Sequence, residues 1–490
     1  MPSLYIDGTW SRGSAGTAEV INPFDASVVE TVDQAGPDDV ERAIAAARAA
    51  FDTGPWRSTT APQRGALLRR VADLLVRDKE EIARTETLDT GKTLTESRID
   101  IDDVTAVFRY YADLADKDAG RMVDTGRPEV LSRVQHEPVG VCVLITPWNY
   151  PLLQLSWKIA PALAAGNTCV IKPSEVTPLS SLSLVRLLAE AGTPPGVVNI
   201  LLGDGRSVGA PLSEHGDVDM VSFTGGLTTG QAIIRASAAT VKRVAVELGG
   251  KNPNIVFADT DFETAVDNVL TAVFLHSGQV CSAGARLIVQ RERADELVAE
   301  VARRAELIRL GNGMDEGTEV GPMVSAGHRG KIEAYVASAV EEGAQVLAGG
   351  RRPDEPELQK GYFYRPTVLD GCHRGMRVVR EETFGPILTV ERFDTEAEAV
   401  ELANDTEYGL AGAVFTADGA RAHRVAGAMR CGTVWINDYH PYIPAAEWGG
   451  MKRSGNGREL GLIGLAEYQE AKHIWQNTAP GPQRWFASRG

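Results

Sequence analysis

The sequence predicts an α/β protein with two successive parallel-sheet units and a small β arm, and three observations carry that reading. From Val141 onward the apolar runs VCVLIT, TCVIK, VVNILL, VDMVSF and VKRVAVEL alternate with segments of helical period, which is the pattern of a doubly wound parallel sheet. Polar residues stand where these runs end: Asn149, Lys172, Thr224-Gly225-Gly226 and Glu247. Ligands of such sheets bind beyond the C-terminal strand ends, so these residues share one functional edge. A second alternation starts at Asn254 with NIVF and the helical DFETAVDNVLTAVF, then continues through RLIVQ, VLAGG, TVLDG, ILTVERF and AGAVFT.

Before the first sheet, Asp38 to about Gly120 reads as helical, in DDVERAIAAARAAF and QRGALLRRVADLLVRDKEEIA, with apolar residues at three-and-four spacing. RPEVLSRVQHEPV, Arg127 to Val139, alternates instead and predicts a hairpin outside the main body. The tail GLAEYQEAKHIWQ is suited to pair with that hairpin in another subunit.

The chain has 490 residues, 43% apolar and 24% charged, enough for two or three domains with large cores. Its net charge of −16 argues against a nucleic-acid surface and favours cationic partners. Five widely spaced cysteines, with no C-x-x-C pair and no metal-ligand spacing, suit a reducing compartment. The N-terminus MPSLYIDGTW lacks the basic and apolar regions of a leader, and no apolar run approaches the ~18 residues that span a bilayer. The expected location is cytoplasmic, away from membranes.

Two glycine-containing stretches invite a phosphate-binding reading. TGKT, Thr90 to Thr93, has Glu86 where a phosphate loop needs glycine, so that reading fails. The run from Gly203 to Gly209, GDGRSVG, follows a predicted strand, but its glycine spacing is not that of a dinucleotide fingerprint.

Three polar groups have chemical potential. Cys281 lies in SGQVCSAG, and as a nucleophile it needs a neighbour that raises its thiolate fraction; without one it is a small apolar filler. In PWNYP, Pro151 suits the first helical position, so Asn149 either caps the helix or donates its amide to a developing oxyanion. Lys172 and Glu175 pair donor with acceptor as ribose hydroxyls require, and Glu247, followed by two glycines, is placed to act as a general base.

In this order, FTGGLTTG, ELGGKNP, SGQVCSAG, EETFGP and WGGMKRSGNGRELG resemble the NAD(P)-dependent aldehyde dehydrogenases, over nearly the whole chain. The resemblance implies that Cys281 attacks the aldehyde while Asn149 and the Cys281 amide hold the oxyanion, and that Glu247 activates the water that releases the acid. It assigns Lys158 and Glu459 to proton shuttling. Pro147, Trp148, Lys172, Ser174, Glu175, Gly205, Gly225, Gly226, Gly230, Leu248, Glu382 and Phe384 fall on cofactor-binding positions, with NAD preferred over NADP because Glu175 would repel a 2′-phosphate. No metal is implied.

The fold so implied has a dinucleotide-binding domain (1–124 and 139–249), an α/β catalytic domain (250–448) and a β bridging arm (125–138 and 467–490), in a homodimer or homotetramer. Within the family, NDYHPYIPAAEWGG and WNYPLLQLSWKIAPALAAGN are most similar to bacterial members acting on betaine aldehyde. Tyr150, Trp157 and Trp448 would then face a cationic substrate, although Leu275 stands where some such members carry an aromatic residue. Aminoaldehydes and general aliphatic aldehydes are the alternatives. A cysteine hydrolase is a rival of another class and needs a histidine base, for which His276 is near in sequence.

Overall fold

The computed structural model describes residues 2–117, 120–483 and 485–486. The five expected strands form the centre of an eight-stranded sheet in the order Arg243–Leu248, Met220–Gly225, Val141–Ile145, Thr168–Lys172, Val198–Ile200, all mutually parallel. The order reverses between Val141–Ile145, which comes first in the chain, and Met220–Gly225, which comes fourth. At that switch point the loops leave in opposite directions and open a crevice.

Antiparallel strands extend both edges. Leu4–Ile6 and Thr9–Ser11 lie beyond Val198–Ile200, and Gly455–Asn456 returns from late in the chain to pair with Val246 and Glu247. Helix Pro151–Ala165 is buried along its whole length, as its apolar circumference requires, and packs against Leu94–Leu114 and Ala61–Arg77.

The second sheet has seven strands, all parallel except for the outer pair Gln345–Ala348 and Thr367–Asp370. Six were anticipated. The seventh, Thr433–Ile436, has only four residues and was not. A buried ion pair ties this sheet together: the Arg286 guanidinium donates to Glu391 at 2.8 and 3.2 Å and to the Leu402 carbonyl at 2.8 Å.

Several expectations are corrected. The long helix expected across QRGALLRRVADLLVRDKEEIA is two, Ala61–Arg77 and Lys79–Thr90, broken at Asp78. Arg127 to Val139 is not itself a hairpin. It contains one strand, Val130–Pro138, which pairs with the two-residue strand Arg121–Met122. The tail strand Gln469–Asn477 pairs with Val130–Pro138 over nine residues of the same chain, not of another subunit. Residues 118–119, within the expected helical region, and 484 and 487–490, at the end of the expected arm, lie outside the described residues.

TGKT is a turn between helices: Gly91 closes one in the left-handed region (φ 82°), and Thr93 caps the next in a reciprocal bond with Glu96. Its Lys92 is buried, donating to Asp100 at 2.6 Å and Glu86 at 3.5 Å. Among the described residues, no helix is long and apolar enough to cross a membrane, and no group of three or more ligating side chains could hold a metal ion.

Breaking a buried ion pair strands the remaining charge, at a cost of about 3–5 kcal/mol. Arg286→Met is therefore expected to lower the unfolding temperature strongly, and Arg286→Met/Glu391→Leu to recover most of the loss. Calorimetry of the three proteins checks this; equal losses in the single and double variants would contradict it.

Candidate active site

The crevice at the switch point is a cavity of about 800 Å³. It is lined by Pro147, Trp148 and Asn149 after the first strand, Lys172, Ser174 and Glu175 after the second, Gly225 and Gly226 after the fourth, and Glu247 and Leu248 ending the fifth. Cys281, Glu382 and Phe384 line the facing side. Gly205 also lines it, together with Gly209, where Asp204 accepts from the Arg206 and Ser207 amides and starts a wide turn. The run GDGRSVG, too irregular for a fingerprint, thus contributes to the cavity.

Gly230 does not reach it. A Cβ there would lie 2.6 Å from the Leu248 side chain, so this glycine lets helix Leu227–Ser237 close on the strand beneath the cavity. Missing side chains elsewhere shape the wall directly. A Cβ on Gly249 would stand 1.9 Å from both Glu382 carboxyl oxygens, which lie over the backbone there; Oε1 accepts from the Gly250 amide at 3.0 Å. Burial pushes the Glu382 carboxyl up to about 7.

Pro151 is the first residue of its helix and Tyr150 the cap, without a side-chain capping bond. The Asn149 side chain donates instead to the Gln279 carbonyl at 2.9 Å, which leaves one amide hydrogen for another acceptor. Asn252 donates to the carbonyls of Cys281 (2.8 Å) and Ala283 (3.0 Å). Neither Gln279 nor Asn252 was singled out in the sequence, although both stand inside its motifs.

The surroundings of Cys281 do not favour a thiolate. Burial, reinforced by the carboxylates of Glu382 and Glu247, pushes its thiol up to about 12. The expected neighbour that raises the thiolate fraction is absent among the described groups, and activation must accompany ligand binding or proton removal.

Burial, and then the nearby Glu459, holds the Glu247 carboxyl well above the usual carboxylate range. Neither of its oxygens makes a hydrogen bond of ordinary geometry among the described residues, although Lys158, Arg458 and the Gly450 amide oppose the upward shift. Behind it, fully buried Lys158 donates to the Thr224 hydroxyl at 2.7 Å and pairs closely with Glu459. Thr224 sits opposite Glu247 in the sheet register. The carboxyl and the ion pair are therefore neighbours across two strand ends.

The aromatic residues divide. Trp157 and Trp448 lie 5.8 Å apart, with Tyr442 at 5.2 and 6.4 Å from them, so the three rings form a cluster. Tyr442 was missed; it stands between prolines in HPYIP, and its hydroxyl donates to Asp103 at 2.6 Å. Tyr150 stands apart from this cluster in its ring contacts. It packs on His276 at 5.4 Å, and the Lys92 ammonium lies 4.0 Å from its ring centroid, so one of its faces already holds a cation. His276, the base required by a hydrolase, is thus engaged with Tyr150, and burial holds it well below the usual imidazole range.

Phe384, with φ 57°, is braced by Trp148 (5.2 Å) and by His328, whose Nε2 lies 2.7 Å from the Phe384 carbonyl oxygen. His328 also lines the cavity. It was not foreseen, since only folding brings it to EETFGP.

A thiol, an amide donor and a buried carboxyl converge at the mouth of a doubly wound sheet, an arrangement that suits a dinucleotide-linked thiol oxidoreductase. Residues 10–474 match the aldehyde dehydrogenase family, and the chain belongs to that family. It is 55% identical over 487 residues to betaine aldehyde dehydrogenase of Bacillus subtilis, covering 99% of both chains. It is 43% identical to peroxisomal aminoaldehyde dehydrogenase 2 of Pisum sativum, covering 99% of this chain and 97% of the other. The structure superposes on betaine aldehyde dehydrogenase of Staphylococcus aureus in complex with NAD+ with a TM-score of 0.98, at 52% identity over 99% of this chain and 97% of that one.

Only the thiolate of Cys281 is alkylated, and well below its pKa the thiolate fraction grows roughly tenfold per pH unit. Iodoacetamide modification of Cys281 in the cofactor-free protein is therefore expected to rise about tenfold per unit from pH 7 to 10 without levelling. Peptide mass spectrometry at each pH would read it; a plateau below about pH 9 would contradict the raised thiol.

Proposed function

We propose that the protein oxidises betaine aldehyde to glycine betaine with NAD+, through a thioester on Cys281. The observation that carries the reading is the single cavity that brings Cys281, Asn149 and Glu247 together with the Lys172–Glu175 pair. Lys172 and Glu175, 3.1 Å apart, suit ribose hydroxyls, and Gly225 and Gly226 allow a diphosphate close to the backbone. NAD+, when bound, supplies the hydride acceptor.

The chain's own residues do the rest. Cys281 gives its proton to water and its sulfur bonds to the aldehyde carbon, while the carbonyl electrons move onto oxygen. The free Asn149 amide hydrogen and the Cys281 backbone amide stabilise that oxyanion. Once the carbon is oxidised to the thioester level, Glu247 removes a proton from water as it attacks; the C–S bond breaks, and the acid and the thiol are released. Lys158 and Glu459 offer the buried Glu247 a route for the proton.

The Trp157–Tyr442–Trp448 cluster lies outside the lining of the cavity, with both tryptophans buried, and it supports a cationic substrate in that any ring face such a substrate reaches would contribute about 0.5–2 kcal/mol to a desolvated cation. The exposed strand Gln469–Asn477, with Trp475 half exposed, supports self-association as a homodimer or homotetramer. All five cysteines are free thiols, which supports placement in the cytoplasm.

Glu247→Gln is expected to give a burst of NADH followed by a slow steady state, because the thioester forms but hydrolyses slowly. Stopped-flow absorbance shows it; no burst with unchanged turnover would remove Glu247 from the reaction. For the substrate, 3,3-dimethylbutanal keeps the volume of betaine aldehyde and deletes its charge. The expected preference for the cation is about tenfold or more in kcat/KM, and Trp448→Ala should reduce it. Equal efficiency with the two aldehydes would favour a general aliphatic aldehyde dehydrogenase.

A further inference from the structure

We infer that Gln279 is a positioning residue for the oxyanion, acting through Asn149; the inference rests on the thioester chemistry proposed above. An amide donor stabilises an oxyanion only when its hydrogen points where the charge develops. One Asn149 hydrogen is fixed on the Gln279 carbonyl at 2.9 Å, and because the amide is planar this bond also sets the direction of the other.

The orientation of the Asn149 amide thus depends on where the Gln279 carbonyl is held. Gln279 follows His276, Ser277 and Gly278, at φ 48°, 55° and 67°. Three consecutive left-handed residues, two of them bearing side chains, persist only when their surroundings impose them. The surroundings here are specific. The His276 amide donates to Glu96 at 2.8 Å, and the Ser277 hydroxyl to the Gly321 carbonyl at 2.6 Å. A Cβ on Gly278 would fall 2.3 Å from the Gly385 carbonyl oxygen, so the turn lies directly on the loop that carries Glu382 and Phe384.

The Gln279 side chain completes the frame. It is fully buried; its amide nitrogen donates to the carbonyls of His276 (3.2 Å) and Pro322 (3.3 Å), and its oxygen accepts from the Val324 amide at 2.8 Å. Both amide hydrogens and the oxygen are engaged, and they lock the turn to the 322–324 segment. An apolar side chain of the same size would fill the space and hold nothing in register.

A double-mutant cycle tests this with Gln279→Ala, Asn149→Ala and the combined variant. The assay is hydrolysis of p-nitrophenyl acetate, in which the Cys281 sulfur takes the acetyl group, p-nitrophenolate leaves, and water releases acetate. It needs the oxyanion donor but neither NAD+ nor an aldehyde, so its result stands apart from the substrate assignment. NADH formation from betaine aldehyde is read in parallel.

Gln279→Ala is expected to lower kcat roughly 30- to 300-fold with KM and NAD+ affinity within about twofold, yet by less than about threefold in the Asn149→Ala background. Equal losses in both backgrounds, or an unchanged kcat in Gln279→Ala, would overturn the inference. If Gln279→Ala does not fold, Gln279→Glu serves in the same cycle, since it keeps an acceptor for Val324 while losing a donor, and the same two outcomes decide.

Discussion

Lys158 is an ammonium in the middle of a helix that has no exposed face, and much of the site follows from the need to compensate it. A buried lysine stays charged only with a partner and further hydrogen bonds. The partner, Glu459, arrives from some 300 residues later in the chain, held by paired backbone bonds to Trp448 at 2.7 and 2.8 Å. The same return brings Gly455–Asn456 onto the strand that ends in Glu247. One ion pair therefore couples a wall of the aromatic cluster, the end of the sheet and the Glu247 carboxyl, whose charge acts on the Cys281 thiol. The hydroxyl of Thr224 completes the ammonium's coordination and joins the fourth strand to the group.

Burial governs the charges of the other groups in and around the site. Burial raises the Cys281 thiol and the Glu247 and Glu382 carboxyls, and brings the Lys251 ammonium down to about 7. Every shift opposes charge. A ligand that carries positive charge into such a site would ease both the thiolate and the carboxylates.

The sheets were legible because their central strands are continuous apolar runs, and the strand ends exposed Asn149, Lys172 and Glu247 as polar interruptions. Breaks governed by a single residue, such as Asp78, were not, because helical periodicity continues across them. Thr433–Ile436 and the N-terminal strands are too short to announce themselves. Gln279, Asn252, His328 and Tyr442 stayed hidden for a different reason: their partners lie tens to hundreds of residues away, and no local pattern encodes them. Tyr150, read with Trp157 and Trp448 as facing the substrate, is met on one face of its ring by the Lys92 ammonium, a contact that comes from a turn some sixty residues earlier and that no local pattern announces.

The pairing of Val130–Pro138 with Gln469–Asn477 joins segments separated by most of the chain. During synthesis the earlier strand leaves the ribosome with its principal partner still untranslated, supported only by the two residues Arg121–Met122. Until the last strand arrives, its long edge offers unsatisfied amides and carbonyls to any other nascent chain. Completion of the polypeptide is therefore also the step that moves the open edge of this small sheet from Val130–Pro138 to Gln469–Asn477, so premature termination near the C-terminus would release chains that expose a different edge even with both large sheets assembled.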